Sequence, residues 1–223
     1  MKIAVIQFLG TNCEYDTKYA FEKLGADVEI IWHQDENIDK DVDLVVIPGG
    51  FSYGDYLRSG AIARFAKIMN AVKKFADNGG KVLGICNGFQ VLLEAHLLPG
   101  AMKRNDNLHF ISKHNKLKVI NNDNEFLQNC EVGETLNIPI AHHDGNYFID
   151  EIGLEKLVSN NQILLKYCDD KGEVSNVNGS VEQIAGICNE AKNVFGLMPH
   201  PERAMEEVLG SDDGVKMLQG LMK

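Results

Sequence analysis

The sequence predicts an α/β fold: a single domain in which helices flank a central, mostly parallel sheet. Short apolar strands and amphipathic helices follow one another through the first 95 residues in the order β-α-β-β-loop-α-β-α. These strands are continuously apolar, which is typical of a parallel sheet that is buried on both faces. The chain has 223 residues, of which 44% are hydrophobic, so it can enclose the core of one large domain over residues 1–223.

The first half of the chain contains four predicted strands, at residues 2–8, 28–32, 43–47 and 81–85. Helices are predicted over 14–24 and 59–77, and a third begins directly after Cys86. Thr11 stands three residues before Glu14, which resembles a capping box, and Gly25 follows as a helix stop. The second helix has an apolar face formed by Ile62, Phe65, Ala66, Met69, Val72 and Phe75.

The second half is predicted to be a β-rich insertion that returns to the central sheet. Turn signals such as Asp169-Asp-Lys-Gly172 separate short apolar runs. The predicted strands are Leu117–Ile120, Thr135–His142, Tyr147–Ile149, Ile163–Tyr167, Gln183–Cys188 and Val194–Met198. A final helix over 211–221 is expected to close the domain.

Composition excludes several classes of function. The net charge is -10 without any cluster of Lys and Arg, which argues against nucleic-acid binding. The five cysteines are scattered and form no CxxC pair, so neither a disulfide framework nor a zinc site is expected. No apolar run approaches the roughly 18 residues of a membrane span. The N-terminus lacks the features of a signal peptide, so a cytoplasmic protein is expected.

A lone cysteine stands where the fourth strand gives way to a helix. Gly84 and Gly88 lie two residues to either side of Cys86. An isolated cysteine in an apolar strand is most often a core residue. The Gly-x-Cys-x-Gly frame instead favours a nucleophile elbow, because the glycines relieve crowding and the helix N-terminus stabilises a thiolate. The pattern therefore predicts that Cys86 is a catalytic nucleophile.

A histidine and a carboxylate near the C-terminus complete a candidate triad. His200 stands between two prolines, and Glu202 follows two residues later. A histidine in a loop is commonly structural, and Glu202 could simply pair with Arg203. The prolines fix φ, however, and residues two apart in an extended segment point the same way. His200 is therefore predicted to be the base, and Glu202 the group that orients it.

Two glycines, Gly49 and Gly50, follow the third strand. They could form a plain turn, but beside a nucleophile their N–H groups and that of Asn87 can hold an oxyanion, each donor contributing roughly 3–4 kcal/mol. The chain contains neither a P-loop nor a dinucleotide fingerprint, so it is expected to bind no such cofactor itself. His142 and His143 lack further ligands at suitable spacing, so they are predicted to form a loop beside the site and no metal site.

These motifs resemble a known family. Gly84–Gln90 together with Pro199–Arg203 looks like the triad-type, class I glutamine amidotransferases. Within that superfamily, Gly49–Ala63 closely resembles the glutaminase subunits of phosphoribosylformylglycinamidine synthase, an enzyme of purine biosynthesis. The resemblance covers essentially the whole chain. It departs at Ala141–Gly145, where His143 replaces glycine and Asp144 replaces glutamate in a loop that borders the glutamine pocket of relatives.

The resemblance implies a mechanism. Cys86 attacks the side-chain carboxamide of L-glutamine. His200 protonates the departing ammonia and then activates water, while Glu202 orients His200. Gln90 lies four residues after Cys86, which is one helical turn, so both are expected to face the pocket. The resemblance implies that Gln90 contacts the glutamine.

The remaining implications concern the oxyanion and the partners. Gly49, Gly50 and Asn87 would supply the backbone oxyanion site. The ammonia would pass to a separate, larger synthetase subunit that carries ATP, Mg²⁺ and formylglycinamide ribonucleotide. In related systems a small third protein commonly bridges these two components.

A free glutaminase would waste glutamine, so low activity alone and activation on docking are expected. The segment Phe51–Arg64, which is rich in aromatic and small residues, is the predicted coupling surface. Three alternatives remain: the glutaminase of another amidotransferase such as imidazole glycerol phosphate synthase, a stand-alone cysteine hydrolase or redox-stress protein on a similar sheet, and a silent binding subunit. The Phe51–Tyr56 motif argues against the first, and the distant His-x-Glu pair and the intact triad argue against the other two.

Overall fold

The computed structural model describes residues 1–222, within which eleven strands and five α-helices are defined. The strands are β1 (Lys2–Gln7), β2 (Asp27–Trp32), β3 (Leu44–Ile47), β4 (Lys81–Ile85), β5 (Ala101–Lys103), β6 (Ile111–Val119), β7 (Thr135–His142), β8 (Asn146–Phe148), β9 (Ile163–Cys168), β10 (Ile184–Cys188) and β11 (Val194–Leu197). The helices are α1 (Glu14–Lys23), α2 (Ile68–Asp77), α3 (Asn87–Glu94), α4 (Glu151–Ser159) and α5 (Asp213–Gly220).

A single nine-stranded sheet runs through the molecule in the order β2-β1-β3-β4-β11-β10-β9-β6-β7. The pairings from β2 to β11 are parallel, and those from β11 to β7 are antiparallel. Strands β5 and β8 form a separate antiparallel pair. The predicted α/β class is confirmed. The first half of the chain supplies β1 to β4 of the parallel part. The β-rich second half adds β11 beside β4 and the antiparallel strands beyond it.

The parallel strands are buried on both faces, as their continuous apolar sequences predict. All four residues of β3 are buried, and so are the four central residues of β1. The carboxyl ends of parallel strands meet at one edge of a sheet, so the segments after β3, β4 and β11 converge there. Within residues 1–222, no helix is both long and apolar enough to span a bilayer.

The predicted helix over 59–77 is wrong in its first half. Its regular part is α2, which begins at Ile68, and the chain before it forms turns and a short 3₁₀ segment at Ala63–Phe65. Gly60 has φ +79° and lies so close to α3 that a Cβ there would meet the backbone of Gln90 at 2.8 Å. This contact imposes a left-handed residue where a helix needs a right-handed one. Phe65, a member of the predicted buried face, is largely exposed.

The predicted capping box at α1 is also wrong. The Oγ1 atom of Thr11 accepts a hydrogen bond from the N–H of Phe8 at 2.9 Å. The residue before the helix is Cys13, whose side chain makes no capping hydrogen bond. Thr11 also forms an isolated β-bridge with Gly50. The residue therefore stabilises the loop beside the sheet edge and does not cap the helix.

One helix in the second half is absent from the sequence prediction. Helix α4 is capped by Asp150, whose Oδ1 accepts from the N–H of Gly153 at 2.7 Å. Gly153 within its first turn weakens the helical signal of the sequence. Strand β6 also starts earlier than predicted, at Ile111, because it pairs with β7 over almost its whole length.

Candidate active site

The turn between β4 and α3 has the geometry of a nucleophile elbow. Cys86 has φ 50° and ψ -105°, a strained backbone conformation for a residue with a side chain. A Cβ on Gly88 would lie 1.8 Å from the carbonyl oxygen of Ile47, and one on Gly84 would lie 2.5 Å from Leu92. Both flanking glycines are therefore required for β3, β4 and α3 to pack together. The structure places Cys86 as predicted, at the carboxyl edge of the parallel strands.

The sheet brings His200 to the same edge. Strand β11 pairs in parallel with β4, and Leu197 lies opposite Ile85, the residue before Cys86. His200 and Glu202 follow β11 and are 2% and 3% exposed. The Nδ1 atom of His200 lies 2.6 Å from Oε1 of Glu202. The predicted pairing of base and orienting carboxylate is therefore present in the structure.

Electrostatics favour a protonated His200. Burial by itself lowers the pKa of the imidazole, but the charges of Glu202 and Cys86 outweigh that effect and hold this pKa well above its ordinary value. His200 therefore keeps a proton that it takes from the Cys86 thiol. His200, the predicted base, can then also act as a general acid and protonate a leaving group next to Cys86.

The nucleophile and the base lie side by side. A Cβ built on Gly49 would be 3.5 Å from Cβ of Cys86 and 2.8 Å from Cε1 of His200. The thiol of Cys86 donates to the carbonyl oxygen of Ala141 at 3.6 Å. Nε2 of His200 is buried without a hydrogen-bond partner among residues 1–222. The thiol thus has to turn from Ala141 towards His200 before the two can exchange a proton.

The predicted oxyanion residues surround the elbow. The carbonyl oxygen of Gly49 accepts from the N–H groups of Asn12 and Cys13, at 3.4 and 3.2 Å, which fixes this peptide. Gly50 lines the two cavities that also contain Cys86. Asn87 is the first residue of α3, so its N–H has no acceptor within the helix. The three residues therefore lie around Cys86, and their oxyanion role stays a prediction.

Gln90 reaches the cavity beside Cys86, as its spacing predicts, but its amide is already engaged. Its Oε1 accepts from Nδ2 of Asn87 at 2.9 Å, and its Nε2 donates to the carbonyl oxygen of Asp144 at 2.6 Å. The Oδ1 atom of Asn87 in turn accepts from the N–H of Ser52 at 3.0 Å. Gln90 and Asn87 therefore tie α3 to both loops that wall the cavity.

This cavity has a volume of about 220 Å³ and a polar lining, part of which sequence reasoning missed. Asp55, Ser59, Arg104 and Asp144 all line it. Burial, and then the negative charge of Asp144, raise the pKa of Asp55 to about 6. No sequence spacing connects Asp55 with Asp144. The only signal in the sequence is their place in segments that the family resemblance covers.

The two adjacent histidines lie in the wall of the same cavity. His142 ends β7 and is buried, and its Nδ1 lies 3.1 Å from Oδ1 of Asn105. Burial, and then the charge of His200, lower the pKa of His142 to about 4, so this ring is neutral at physiological pH. Oδ1 of Asn105 also accepts from the N–H of Gly145 at 3.0 Å. Asn105 thereby fixes the loop that carries His143 and Asp144.

A second thiol, which sequence reasoning missed, lies next to the triad. Cys13 is buried beside His200, and Nη2 of Arg203 donates to its sulfur at 3.1 Å. Burial raises the pKa of the Cys13 thiol. The sequence separates Cys13 from His200 by almost the whole chain, so no local pattern could have revealed the contact.

The fold is an α/β sheet, and its carboxyl edge carries a Cys–His–Glu arrangement of the kind found in triad enzymes. A family model for the CobB/CobQ-like glutamine amidotransferase domain matches residues 1–214. The chain therefore belongs to this family of glutamine amidotransferases.

Its relatives are similar over their full length. The chain is 66% identical over 223 residues to the phosphoribosylformylglycinamidine synthase subunit PurQ of Sulfurimonas denitrificans, with 100% of both chains covered. It is 64% identical over 221 residues to the protein of the same name from Wolinella succinogenes, with 99% of each covered. The structure of PurLQS from Thermotoga maritima contains a chain that is 43% identical, with a TM-score of 0.89 and coverage of 99% of this chain and 97% of that chain. A glutamine amidotransferase from Thermotoga maritima shares the fold at 15% identity, with a TM-score of 0.64 and coverage of 100% and 96%.

The elbow generates a stability prediction. Gly88→Ala is expected to lower the free energy of unfolding by more than about 3 kcal/mol, because the new Cβ meets a backbone oxygen that cannot move alone. Gly79→Ala is the matched control: Gly79 has φ +86° but nothing within 4 Å, so only about 1 kcal/mol of backbone strain is added. Urea unfolding of both variants measures the difference. Equal losses would contradict the tight packing of the elbow.

Proposed function

We propose that this chain is the glutaminase subunit of phosphoribosylformylglycinamidine synthase, which hydrolyses L-glutamine and delivers ammonia to a separate synthetase subunit. The observation that carries the proposal is the strained Cys86 elbow beside the buried His200–Glu202 pair. Relatives that match over the full length are phosphoribosylformylglycinamidine synthase subunits, which supports the choice of pathway.

The polar cavity fits the amino-acid end of glutamine. Asp55 and Asp144 offer negative charge to the α-ammonium group, and Arg104 offers positive charge to the α-carboxylate. Ser59 donates to Oδ2 of Asp144 at 2.8 Å, which holds that carboxylate in place. The side-chain carboxamide then extends to Cys86 at the other end of the cavity.

Acylation uses the elbow and the base together. Cys86 gives its thiol proton to Nε2 of His200, and the thiolate attacks the carboxamide carbon, while the N–H groups of Gly49, Gly50 and Asn87 stabilise the oxyanion. The imidazolium of His200 gives its proton to the departing nitrogen, so the C–N bond breaks and ammonia leaves. The product on the enzyme is a γ-glutamyl thioester on Cys86.

Deacylation reverses the role of the base. His200, now neutral, takes a proton from water, and the hydroxide attacks the thioester carbonyl. The C–S bond breaks, glutamate leaves, and the imidazolium–thiolate pair is restored. Glu202 holds the tautomer of His200 and stabilises the charged ring throughout.

The coupling surface that we propose is Phe51–Arg64, which directly follows Gly49 and Gly50. Within it, Tyr56 is 74% exposed and Leu57 is 89% exposed, so two neighbouring large side chains face solvent. Tyr53, Asp55 and Leu57 have φ values of 53°, 54° and 70°, so this segment is strained next to Gly50. A docked synthetase subunit can relax it and shift the oxyanion donors. ATP and Mg²⁺ are bound by that partner and not by this chain, and a small bridging protein completes the complex.

The first functional prediction separates ammonia production from synthesis. Cys86→Ala is expected to reduce glutamine-dependent synthesis in the reconstituted complex by at least about a thousandfold, because no thioester can form. Synthesis driven by added ammonium salt is expected to remain at the wild-type rate. Cys130→Ala, which removes another buried thiol, is the control and is expected to retain both activities. Loss of both activities in Cys86→Ala would mean that Cys86 is structural.

The second functional prediction concerns the ammonium site. Asp55→Asn is expected to raise KM for glutamine by roughly 10- to 100-fold with little change in kcat, because a charged hydrogen bond to the substrate is lost. Since the pKa of Asp55 is about 6, the wild-type carboxylate is protonated as pH falls through 6, and KM rises there. The variant is expected to lack this pH dependence. Asp170→Asn, in an exposed turn, is the control, and an unchanged KM in Asp55→Asn would place the ammonium group elsewhere.

A further inference from the structure

Two cavities meet at the nucleophile, and each contains a different part of the site. The larger one, of about 220 Å³, has the charged groups of Asp55, Arg104 and Asp144 in its wall. The smaller one, of about 140 Å³, has His200 in its wall and none of those three residues. Cys86 lines both cavities. The nucleophile therefore has the charged groups in one neighbouring cavity and the base in the other.

The leaving nitrogen of glutamine belongs on the side of the base. In the proposed mechanism, on which this inference rests, His200 gives the proton that completes ammonia. That transfer needs the nitrogen within hydrogen-bond reach of the ring when the C–N bond breaks. The larger cavity holds the charged end of the substrate at the same moment. Ammonia is therefore released into the smaller cavity, which has room for it, since a water molecule of similar size occupies about 30 Å³ of the liquid.

The wall of the smaller cavity favours neutral ammonia over ammonium. Arg203 lies in this wall, and its Nη2 donates to the sulfur of Cys13 at 3.1 Å. Its permanent positive charge disfavours a second cation nearby. Asp16, whose Oδ2 lies 3.0 Å from Nε of Arg203, is outside the cavity, and the lining drawn from residues 1–222 includes no Asp or Glu. Ammonia thus keeps the free lone pair that a synthetase needs in a nucleophile.

Two half-exposed phenylalanine rings mark the place where the smaller cavity meets the surface. Phe51 is 46% exposed and Phe110 is 50% exposed, and both line the cavity. The N–H of Phe51 donates to the carbonyl oxygen of Gly10 at 2.9 Å, which holds this segment. Nδ2 of Asn105 donates to the carbonyl oxygen of His109 at 2.9 Å, which holds the chain directly before Phe110. Since Phe51 is also the first residue of the proposed coupling surface, the opening adjoins the surface on which the synthetase subunit docks.

We propose that the smaller cavity is the exit through which ammonia leaves this chain, and that the rings of Phe51 and Phe110 form its rim against the docked synthetase subunit. The larger cavity is then the entrance for glutamine and the outlet for glutamate. Because the two products leave by different openings, the partner can cover one opening and receive ammonia without blocking the other. Sequence reasoning could not indicate Phe110, since only the fold brings it to the same cavity as Cys86.

The experiment compares two products of the reconstituted complex at a saturating concentration of the synthetase subunit and without added ammonium salt. Glutamate and formylglycinamidine ribonucleotide are measured together, because their ratio depends neither on the rate nor on the fraction of folded chain. The wild type is expected to form equal amounts of both. Phe110→Ala is expected to lower the ratio of nucleotide to glutamate by at least about twofold, because the contact that excludes water from the rim is lost and ammonia escapes. Phe110→Leu, which keeps an apolar group, is expected to lie between the two, and it decides the question if Phe110→Ala does not fold.

Leu108→Ala is the matched control. Leu108 is 66% exposed two residues before Phe110 but lines neither cavity, so the wild-type ratio is expected. The wild-type ratio in the Phe110 variants would overturn the proposal, because ammonia would then leave elsewhere. An equal fall in Leu108→Ala would also overturn it, since the loss would follow from altered docking and not from an open rim. A wild-type complex that formed glutamate but no nucleotide would instead refute the proposed function, so the two failures are distinguishable.

Discussion

The strained backbone of Cys86 is the constraint on which the site depends. The surrounding packing holds the residue at φ 50° and ψ -105°. The glycines on either side lie so close to the carbonyl of Ile47 and the side chain of Leu92 that neither position has room for a Cβ. The core strands β3 and β4 thus hold the strain that raises the sulfur above the sheet. The oxyanion glycines belong to the same packing, since Gly49 and Gly50 follow closely after Ile47.

The mixed sheet positions the other two members of the proposed triad, His200 and Glu202. After β4 the chain leaves the parallel strands and builds the antiparallel part of the sheet. It then returns to the parallel part as β11, which lies directly beside β4. His200 therefore meets Cys86 across neighbouring strand ends, although the whole β-rich insertion lies between them in the sequence. The carboxylate of Glu202 stabilises the charged, buried imidazolium of His200. The proton for the departing nitrogen is therefore on His200 when the thiolate attacks.

Features that depend on local backbone geometry could be predicted from the sequence. The elbow, the His-x-Glu pair and the order of the first strands and helices follow from glycine spacing, proline stiffness and apolar periodicity. The helix over 59–77 failed because Gly60 meets α3, a tertiary contact that overrides the periodic pattern. Asp55 and Cys13 could not be predicted for the same reason: their importance comes from neighbours, Asp144 and His200, that only the folded chain brings close.

We propose that this site produces ammonia for a synthetase subunit and is controlled by that subunit. The most direct measurement is the rate of glutamine hydrolysis by the full chain, with and without the purified synthetase subunit, ATP and formylglycinamide ribonucleotide. We expect slow hydrolysis by the chain alone and strong stimulation by the complete set. A rate that is the same with and without that set would contradict it, leaving a glutaminase whose partner and pathway lie elsewhere.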